Sequence, residues 1–201
     1  MTEAAHALDF EELLHLAIYA SDNNQTELAI EYLKRALEIS PDSGKALYML
    51  GSLHADIGLF ERAIEEISKA VQFEPEIDTA HFQLGLLYLT SGKVDEAKDA
   101  WSKLDYLDET HYLHLFKTGL ISLINDNFTD CIFKLQMGIK NNQINAPLNG
   151  DMLKMIHAAE NAIQMNKINT PNETINIGDS NETDEAVGQT ILSAYNNNLN
   201  S

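Results

Sequence analysis

A repeat of 34 residues is the feature that most constrains how this chain of 201 residues can fold. The segment YMLGSLHADIG begins at Tyr48, the segment FQLGLLYLTSG begins at Phe82, and both place an aromatic residue, Leu and Gly in the same order. One further step of the same length in each direction reaches related segments at Leu14 and Phe116. The period predicts four copies of one structural unit, each of which buries its apolar side against its neighbours.

Each repeat opens with a segment that has the apolar spacing of an α-helix. In the second repeat, Leu47, Leu50 and His54 share one helical face, and Gly51 lies at the centre of that face. The residues at this central position are small in all four repeats: Ala17, Gly51, Gly85 and Gly119. A small residue there predicts that a second helix packs closely against the first.

A second helical stripe follows the first in every repeat. These second stripes consist of Ala29, Leu33 and Ala36; Ala63, Ile67 and Ala70; Ala97, Trp101 and Leu104; and Cys131, Leu135 and Gly138. Between the two helices the chain must turn, at Asn24, Gly58, Gly92 and Asp126. These residue types tolerate the left-handed backbone that ends many helices, so each repeat is predicted to run helix, tight turn, helix.

This pattern resembles the tetratricopeptide repeat family, and the resemblance covers about residues 10–145. It is closest in the second and third repeats, at the Leu-Gly pairs that begin at Leu50 and Leu84 and at Pro75, which closes the second repeat. The resemblance implies an all-α fold, a right-handed superhelical solenoid of antiparallel helix pairs. The predicted repeats span residues 10–43, 44–77, 78–111 and 112–145.

The residues outside the repeats are predicted to form a leader, a capping helix and a tail. Residues 1–9 form the N-terminal leader. Residues 151–165 carry apolar side chains on one helical face, which predicts a helix that caps the fourth repeat. Residues 166–201 are rich in Asn and Thr and predict a flexible tail, with a candidate short helix over residues 186–199.

The charge of the chain excludes several kinds of partner. It has 31 acidic residues against 13 Lys and Arg, a net charge of −18, which repels nucleic acid phosphates and anionic membrane surfaces. No segment approaches the ~18 consecutive apolar residues of a membrane span, so no membrane insertion is predicted. The single Cys131 and the absence of a signal-peptide pattern in MTEAAHALDF favour the cytoplasm.

The sequence shows no pattern typical of catalysis. It lacks a glycine-rich phosphate loop and a nucleophile–base arrangement, so we predict no enzyme activity, no catalytic residue and no cofactor. His111 and His114 are three residues apart, but no third ligand follows them, and no metal site is predicted. Cys131 occupies a position that holds Ala in the other repeats, which indicates a buried, unreactive thiol.

The candidate binding surface is the face of the first helices that lies opposite the buried stripe. This face should be polar, yet the third repeat places Phe82, Leu86 and Leu89 there. In the family that the chain resembles, the first helices line a concave groove that receives peptides or helices. The resemblance therefore implies partner contacts at Leu14, His15, Ile18, Tyr48, Met49, Ser52, Phe82, Gln83, Leu86, Leu89, Phe116, Lys117 and Leu120. The same stripe would alternatively pack against neighbouring helices or inside a homodimer.

These observations favour a non-enzymatic adaptor or scaffold that holds an apolar helix or peptide of a partner protein in the groove. The alternative is a small acidic chaperone that shields an apolar segment of a secreted or assembled client. A further expectation concerns the tail, whose Val187, Ile191, Tyr195 and Leu199 recur at one-turn intervals. This segment is predicted to dock as a helix in the groove of its own chain or of a second copy.

Overall fold

The computed structural model describes residues 8–168, and each regular element in that part of the chain is an α-helix. The helices are α1 (Phe10–Asp22), α2 (Thr26–Ile39), α3 (Gly44–Asp56), α4 (Phe60–Phe73), α5 (Asp78–Thr90), α6 (Val94–Ser102), α7 (Tyr112–Ile124), α8 (Phe128–Asn141) and α9 (Ala146–Ile168). None of these helices combines the length and the apolar character that a membrane span requires. Most of the predicted leader and the tail from residue 169, including the candidate helix 186–199, lie outside the described residues.

The chain divides into two compact units, and the boundary falls within α5. Unit 1 is Met1–Leu87 and contains α1 to α4 with most of α5; unit 2 is Tyr88–Ser201 and contains the end of α5 with α6 to α9. Each unit is built from the predicted motif of a helix, a tight turn and an antiparallel partner helix. The predicted all-α fold class is confirmed.

Capping side chains in the sequence explain where α1 and α3 begin. The Asp9 carboxylate accepts a hydrogen bond from the Glu12 backbone N–H at 2.9 Å, and the Glu12 carboxylate accepts one from the Asp9 N–H at 2.9 Å. This reciprocal capping box starts α1. Ser43 plays a similar part for α3, because its hydroxyl accepts a hydrogen bond from the Ala46 N–H at 3.2 Å.

The turns between paired helices have the backbone conformation that the sequence predicts. The φ angle is positive at all four turn positions: 56° at Asn24, 79° at Gly58, 77° at Gly92 and 55° at Asp126. In each turn the N–H of the next residue donates to the carbonyl five residues before it, as from Gln25 to Ala20 at 2.8 Å. This bond closes the helix end, and the prediction from residue type is confirmed.

Close helix packing in unit 1 depends on Gly51. A Cβ atom at this position would lie 2.6 Å from the Cγ1 of Ile67 and 3.1 Å from the carbonyl oxygen of Ala63, so no larger residue fits between α3 and α4. One turn further along α3, the buried His54 places its Nδ1 2.6 Å from a carboxylate oxygen of Glu66 on α4. The predicted close approach of the two helices is confirmed.

Unit 2 repeats this packing and adds a longer helix. A Cβ atom at Gly119 would lie 2.8 Å from the Leu135 side chain, which brings α7 and α8 as close as α3 and α4. Helix α9 packs against α8 and begins at Ala146, five residues before the predicted start of the capping helix. The side chain of Asn145 accepts a hydrogen bond from the Leu148 N–H at 3.3 Å, and Pro147 is tolerated in a first turn, which explains the earlier start.

The second helix of the third repeat is shorter than its counterparts. Helix α6 has nine residues, whereas α2, α4 and α8 each have 14. Leu104 is buried as predicted, but it lies beyond the end of α6, in a segment of tight turns. The Ser102 hydroxyl donates to the Asp99 carbonyl at 2.7 Å, and the Asp108 carboxylate accepts from the Thr110 N–H at 2.8 Å. Ser and Asp side chains of this kind compete with helical hydrogen bonds.

Candidate functional site

The predicted partner-binding residues divide between the two units. Nine of them belong to unit 1 and form what we call the first-helix face of unit 1: Leu14, His15 and Ile18 on α1; Tyr48, Met49 and Ser52 on α3; and Phe82, Gln83 and Leu86 on α5. Within each helix the three residues fall at i, i+1 and i+4, which places them on one side. The other four, Leu89, Phe116, Lys117 and Leu120, belong to unit 2.

The first-helix face of unit 1 is only partly accessible. His15 is exposed, and five further residues are half-buried: Ile18, Tyr48, Met49, Ser52 and Gln83. Leu14, Phe82 and Leu86 are buried, with at most 7% of the residue surface exposed. The accessible part of this face therefore lies mainly on α1 and α3.

The accessible apolar residues of this face rest on the core of unit 1. Leu14 and Leu50 belong to one buried cluster that joins α1, α2 and α3, and Ile18 and Met49 pack against its edge. Each of these two side chains thus has one side held by the core and another side open. Such residues extend an apolar core to the surface without exposing it fully.

Polar atoms on the same face have unused hydrogen-bonding capacity. The Tyr48 hydroxyl lies 3.4 Å from the Oε1 of Gln83, which is a long hydrogen bond. Burial raises the pKa of the Tyr48 phenol above its usual range, the neighbouring Thr79 and Ser52 hydroxyls act in the opposite direction, and the Asp56 carboxylate adds to the rise. The buried Ser52 Oγ has no hydrogen-bond partner in the described structure. The long bond to Gln83 leaves the Tyr48 hydroxyl with capacity for a further hydrogen bond.

The four predicted residues in unit 2 are all buried. Leu89, Phe116 and Leu120 have no exposed surface, and the ring of Phe116 lies against Tyr112 with 5.9 Å between the ring centroids. A Cβ atom at Gly138 on α8 would lie 2.4 Å from the Phe116 ring. In the structure these three apolar residues therefore belong to the core of unit 2.

Lys117 is one of the predicted partner contacts, and in the structure its charge is paired with an aspartate of the same unit. The residue is 2% exposed, and its Nζ lies 2.5 Å from a carboxylate oxygen of Asp105. The hydrogen bond and charge of Lys117 hold the pKa of Asp105 below its usual range. Sequence reasoning missed this pair because Asp105 lies in the turn segment that replaces the end of a helix.

Histidine and cysteine often take part in chemistry, and three such residues of unit 2 have roles or surroundings that are structural. The Nδ1 of His111 accepts a hydrogen bond from the Leu113 N–H at 3.3 Å and caps α7, while the buried Nδ1 of His114 has no hydrogen-bond partner among the described residues. Burial, helped by the negative charge of Asp130, raises the pKa of the Cys131 thiol to about 12, which suppresses its nucleophilic form. Residues 8–168 contain no group of three or more His, Cys, Asp and Glu residues placed to hold a metal ion.

Sequence reasoning overlooked two acidic residues next to this face. Asp22 ends α1 and Asp56 ends α3, and both are exposed. Each lies four residues after a member of the first-helix face of unit 1, namely Ile18 or Ser52. Their separation equals the repeat period, so they could have been found from the sequence by aligning the repeats.

Comparison with known proteins connects these repeats to a family. Residues 14–76 and residues 78–111 each match a profile of the tetratricopeptide repeat. No curated protein matches the chain in sequence.

Three solved structures resemble the fold, each with a TM-score of 0.55. MamA is 24% identical over 66% of this chain and 77% of its own. YrrB, described as a TPR protein with an unusual peptide-binding site, is 16% identical over 78% of each chain. A tetratricopeptide repeat protein from Parabacteroides merdae is 19% identical over 78% of this chain and 60% of its own. At these identities the likeness concerns the fold alone.

Proposed function

Because the chain belongs to the tetratricopeptide repeat family and has its all-α solenoid fold, we propose that it is an adaptor that holds a segment of a partner protein on the first-helix face of unit 1. The repeats themselves support a role as a protein–protein interaction module. The finer proposal of a binding face rests on one observation. Half-buried apolar side chains lie there beside the half-buried Tyr48, whose hydroxyl forms only a long hydrogen bond to Gln83.

These two kinds of group would contact different parts of a bound segment. Ile18 and Met49 offer apolar surface to side chains of the partner, and the Tyr48 hydroxyl offers a hydrogen bond to its backbone or polar side chains. An apolar helix or an extended peptide would meet both requirements. In this proposal the chain acts by binding alone and carries out no chemical step.

A chaperone function would use the same face for a different purpose. The acidity of the chain, with its net charge of −18, favours this alternative, because a strong like charge keeps a complex with an apolar client soluble. The two functions differ in the state of the partner, which is folded when bound to an adaptor and unfolded when bound to a chaperone. Suppression of client aggregation would identify the chaperone.

The location and self-association of the protein stay predictions. We propose that it acts in a reducing compartment such as the cytoplasm, which is supported by its single, buried cysteine. Docking of the tail in the groove involves residues outside the described part of the chain, and so does its alternative, docking in a second copy.

The experiment that tests the binding face starts from a defined probe. A library of random peptides about 15 residues long would be selected for binding to the full chain, and the affinities of the selected peptides would be measured by fluorescence anisotropy. The double variant Ile18→Asn with Met49→Asn removes apolar contact without changing the charge. We expect its affinity to fall at least tenfold, because each lost apolar contact costs about 1 kcal/mol or more.

A matched control uses the opposite side of the same unit. Ile39 and Phe73 are about half exposed on α2 and α4, and Ile39→Asn with Phe73→Asn makes the same kind of change away from the face. Circular dichroism would verify that both double variants remain helical. The proposal is wrong if the control weakens binding as much as the test variant, or if the full chain selects no peptide.

A further inference from the structure

Two aspartates extend the first-helix face of unit 1 at one end. Asp22 is the last residue of α1, Asp56 is the last residue of α3, and both are exposed. Asp22 lies one turn beyond Ile18, and Asp56 lies one turn beyond Ser52, so the carboxylates continue the two stripes that carry the face.

The position of these aspartates is unfavourable for the helices themselves. The C-terminal end of a helix carries partial negative charge from its unpaired carbonyl groups, so a carboxylate there is repelled and a cation is attracted. The last turn of α1 contains no basic residue. Two carboxylates at two such ends concentrate negative potential at one edge of the face, where a cation supplied by a partner would be stabilised.

The rest of unit 1 strengthens this potential. Residues 8–87 contain 15 acidic residues against five Lys and Arg, so most of the acidic residues have no basic residue to balance them. Glu11 and Lys45 hold the equivalent positions in the first turns of α1 and α3 and have opposite charges. At the other end of the two helices, Asp22 and Asp56 have the same charge.

Among the four repeats, only the first two have an aspartate at this position. The equivalent positions of the third and fourth repeats hold Thr90 and Ile124, and Thr90 is buried. A carboxylate at this position is thus not needed to build a helix pair. An aspartate nevertheless occurs at this position in both repeats of unit 1.

We propose that the first-helix face of unit 1 binds an amphipathic protein segment that is apolar on one side and carries Lys or Arg, with the basic side chains placed over Asp22 and Asp56. This inference rests on the proposed function, since it names the chemistry of the segment that the face holds. The apolar side of the segment covers Ile18 and Met49. Charge complementarity selects the partner and orients it along the helices.

Three synthetic peptides about 14 residues long test the inference with the full chain. The first has Leu on one helical side and Lys on the other, the second replaces each Lys by Glu, and the third has the composition of the first in an order without an apolar side. We expect the Leu and Lys peptide to bind at least tenfold more tightly than either of the others. Raising NaCl from about 50 mM to about 300 mM should weaken its binding.

Two matched double variants locate the contact. In Asp22→Asn with Asp56→Asn, the affinity for the Leu and Lys peptide should fall about fivefold, in line with exposed ion pairs. The control, Glu31→Gln with Glu65→Gln, removes the same charge from exposed positions that are also one repeat apart, but on the second helices. Its effect should stay below about twofold.

The outcomes separate this inference from the proposed function. If Ile18→Asn with Met49→Asn abolishes peptide binding but the aspartate variant does not change it, the face binds a partner and the inference is wrong. An equal effect of the control would also overturn it, because only the total charge would matter. Tight binding of a peptide of residues 169–201, which has five acidic residues and no Lys or Arg, would make the tail the occupant instead. Self-association that the aspartate variant abolishes would make a second copy the occupant.

Discussion

The two units of this chain share one packing plan and differ in how they treat charge. Both contain a helix pair held close by a central glycine, Gly51 in unit 1 and Gly119 in unit 2. Residues 8–87 have a net charge of −10, whereas residues 88–168 have ten acidic residues against eight Lys and a net charge of −2. The repeat pattern therefore specifies the packing of a helix pair and leaves its surface charge free to vary.

Three lysines of unit 2 each contact an aspartate. Lys117 contacts Asp105, and the pairs of Lys134 with Asp130 and of Lys154 with Asp151 each join residues one turn apart. In unit 1 the acidic residues of 8–87 outnumber Lys and Arg by 15 to five. The charge of unit 2 is therefore closer to balance, and three of its carboxylates pair with lysines within the unit.

The largest expected effect concerns a position that the two units share. Cys131 on α8 corresponds to Ala63 on α4, and both residues are fully buried. With its pKa at about 12, the Cys131 thiol should react with a disulfide reagent at pH 8 about a thousandfold more slowly than an ordinary thiol. The rate of labelling in buffer and in denaturant would measure the difference.

The same measurement in unit 1 tests whether the two positions are equivalent. A chain with Cys131→Ala and Ala63→Cys should label as slowly as the parent, because burial is the main cause of the raised pKa. Rapid labelling of this variant would show that the helix pair of unit 1 opens more readily than that of unit 2.

The next largest effect is expected from substitutions that disrupt the helix packing shared by the two units. Gly51→Leu places side-chain atoms inside the contact with Ile67, and Gly119→Leu does the same at Leu135. Each change should lower the free energy of unfolding by about 2 to 3 kcal/mol, measured by urea denaturation. Gly150→Ala is the control, since a Cβ atom there meets nothing within 4 Å and should stabilise α9 slightly. Loss of stability in one unit only would mean that the packing plan is not shared.

A smaller effect tests the internal pairing of charge in unit 2. Asp105→Asn leaves the buried Lys117 without its carboxylate, but the Asp105 side chain is 75% exposed, so solvent screens the pair. The change should lower the free energy of unfolding by about 1 kcal/mol at neutral pH. Because the pKa of Asp105 is lowered in the folded state, its contribution is present above the ordinary carboxyl pKa and is lost as the pH falls through the folded-state pKa. The stabilities of parent and variant, measured by denaturation across this range, should therefore converge in acid.

The matched control for this prediction is Asp151→Asn, which removes a pair between partly exposed residues of one helix. Its cost should be below about 0.5 kcal/mol. Equal losses in the two variants would show that the burial of Lys117 gives its ion pair no special weight in unit 2.

The smallest expected effect tests the difference in net charge between the two units. Raising NaCl from about 50 mM to about 500 mM screens repulsion among carboxylates, which is greatest in unit 1. Amide hydrogen exchange in α1 to α4 should slow more than exchange in α7 to α9, by an amount equivalent to less than about 1 kcal/mol. The variant Glu31→Gln with Glu65→Gln should show a smaller response in unit 1. An equal response of the two units in the parent would contradict the comparison.

Much of the fold could be predicted from the sequence because the relevant signals are local. The residue types at Asn24, Gly58, Gly92 and Asp126 predicted the left-handed turns, and all four have positive φ. The predicted second stripes are buried in every repeat. Helix spacing and turn conformation depend on residues within a few positions of each other, so one sequence contains enough information to place them.

The candidate site was less predictable because accessibility depends on distant residues. Leu86, Leu120 and Ser52 occupy the same position of different repeats, yet the two leucines are buried and the serine is half-buried. The resemblance to a family treated these positions alike. The early end of α6 was also missed, and with it the aspartate that meets Lys117.

By itself the sequence determined the repeat period, the helix pairs, the positions of the turns and the net charge of the chain. These follow from residue types and their spacing, which act over one or two helical turns. Only the tertiary structure decided which members of the apolar stripe stay accessible, where Lys117 finds its carboxylate, and which hydroxyl groups lack a partner. Burial and pairing depend on the side chains that other helices bring to a position, and no local pattern in the chain specifies those neighbours.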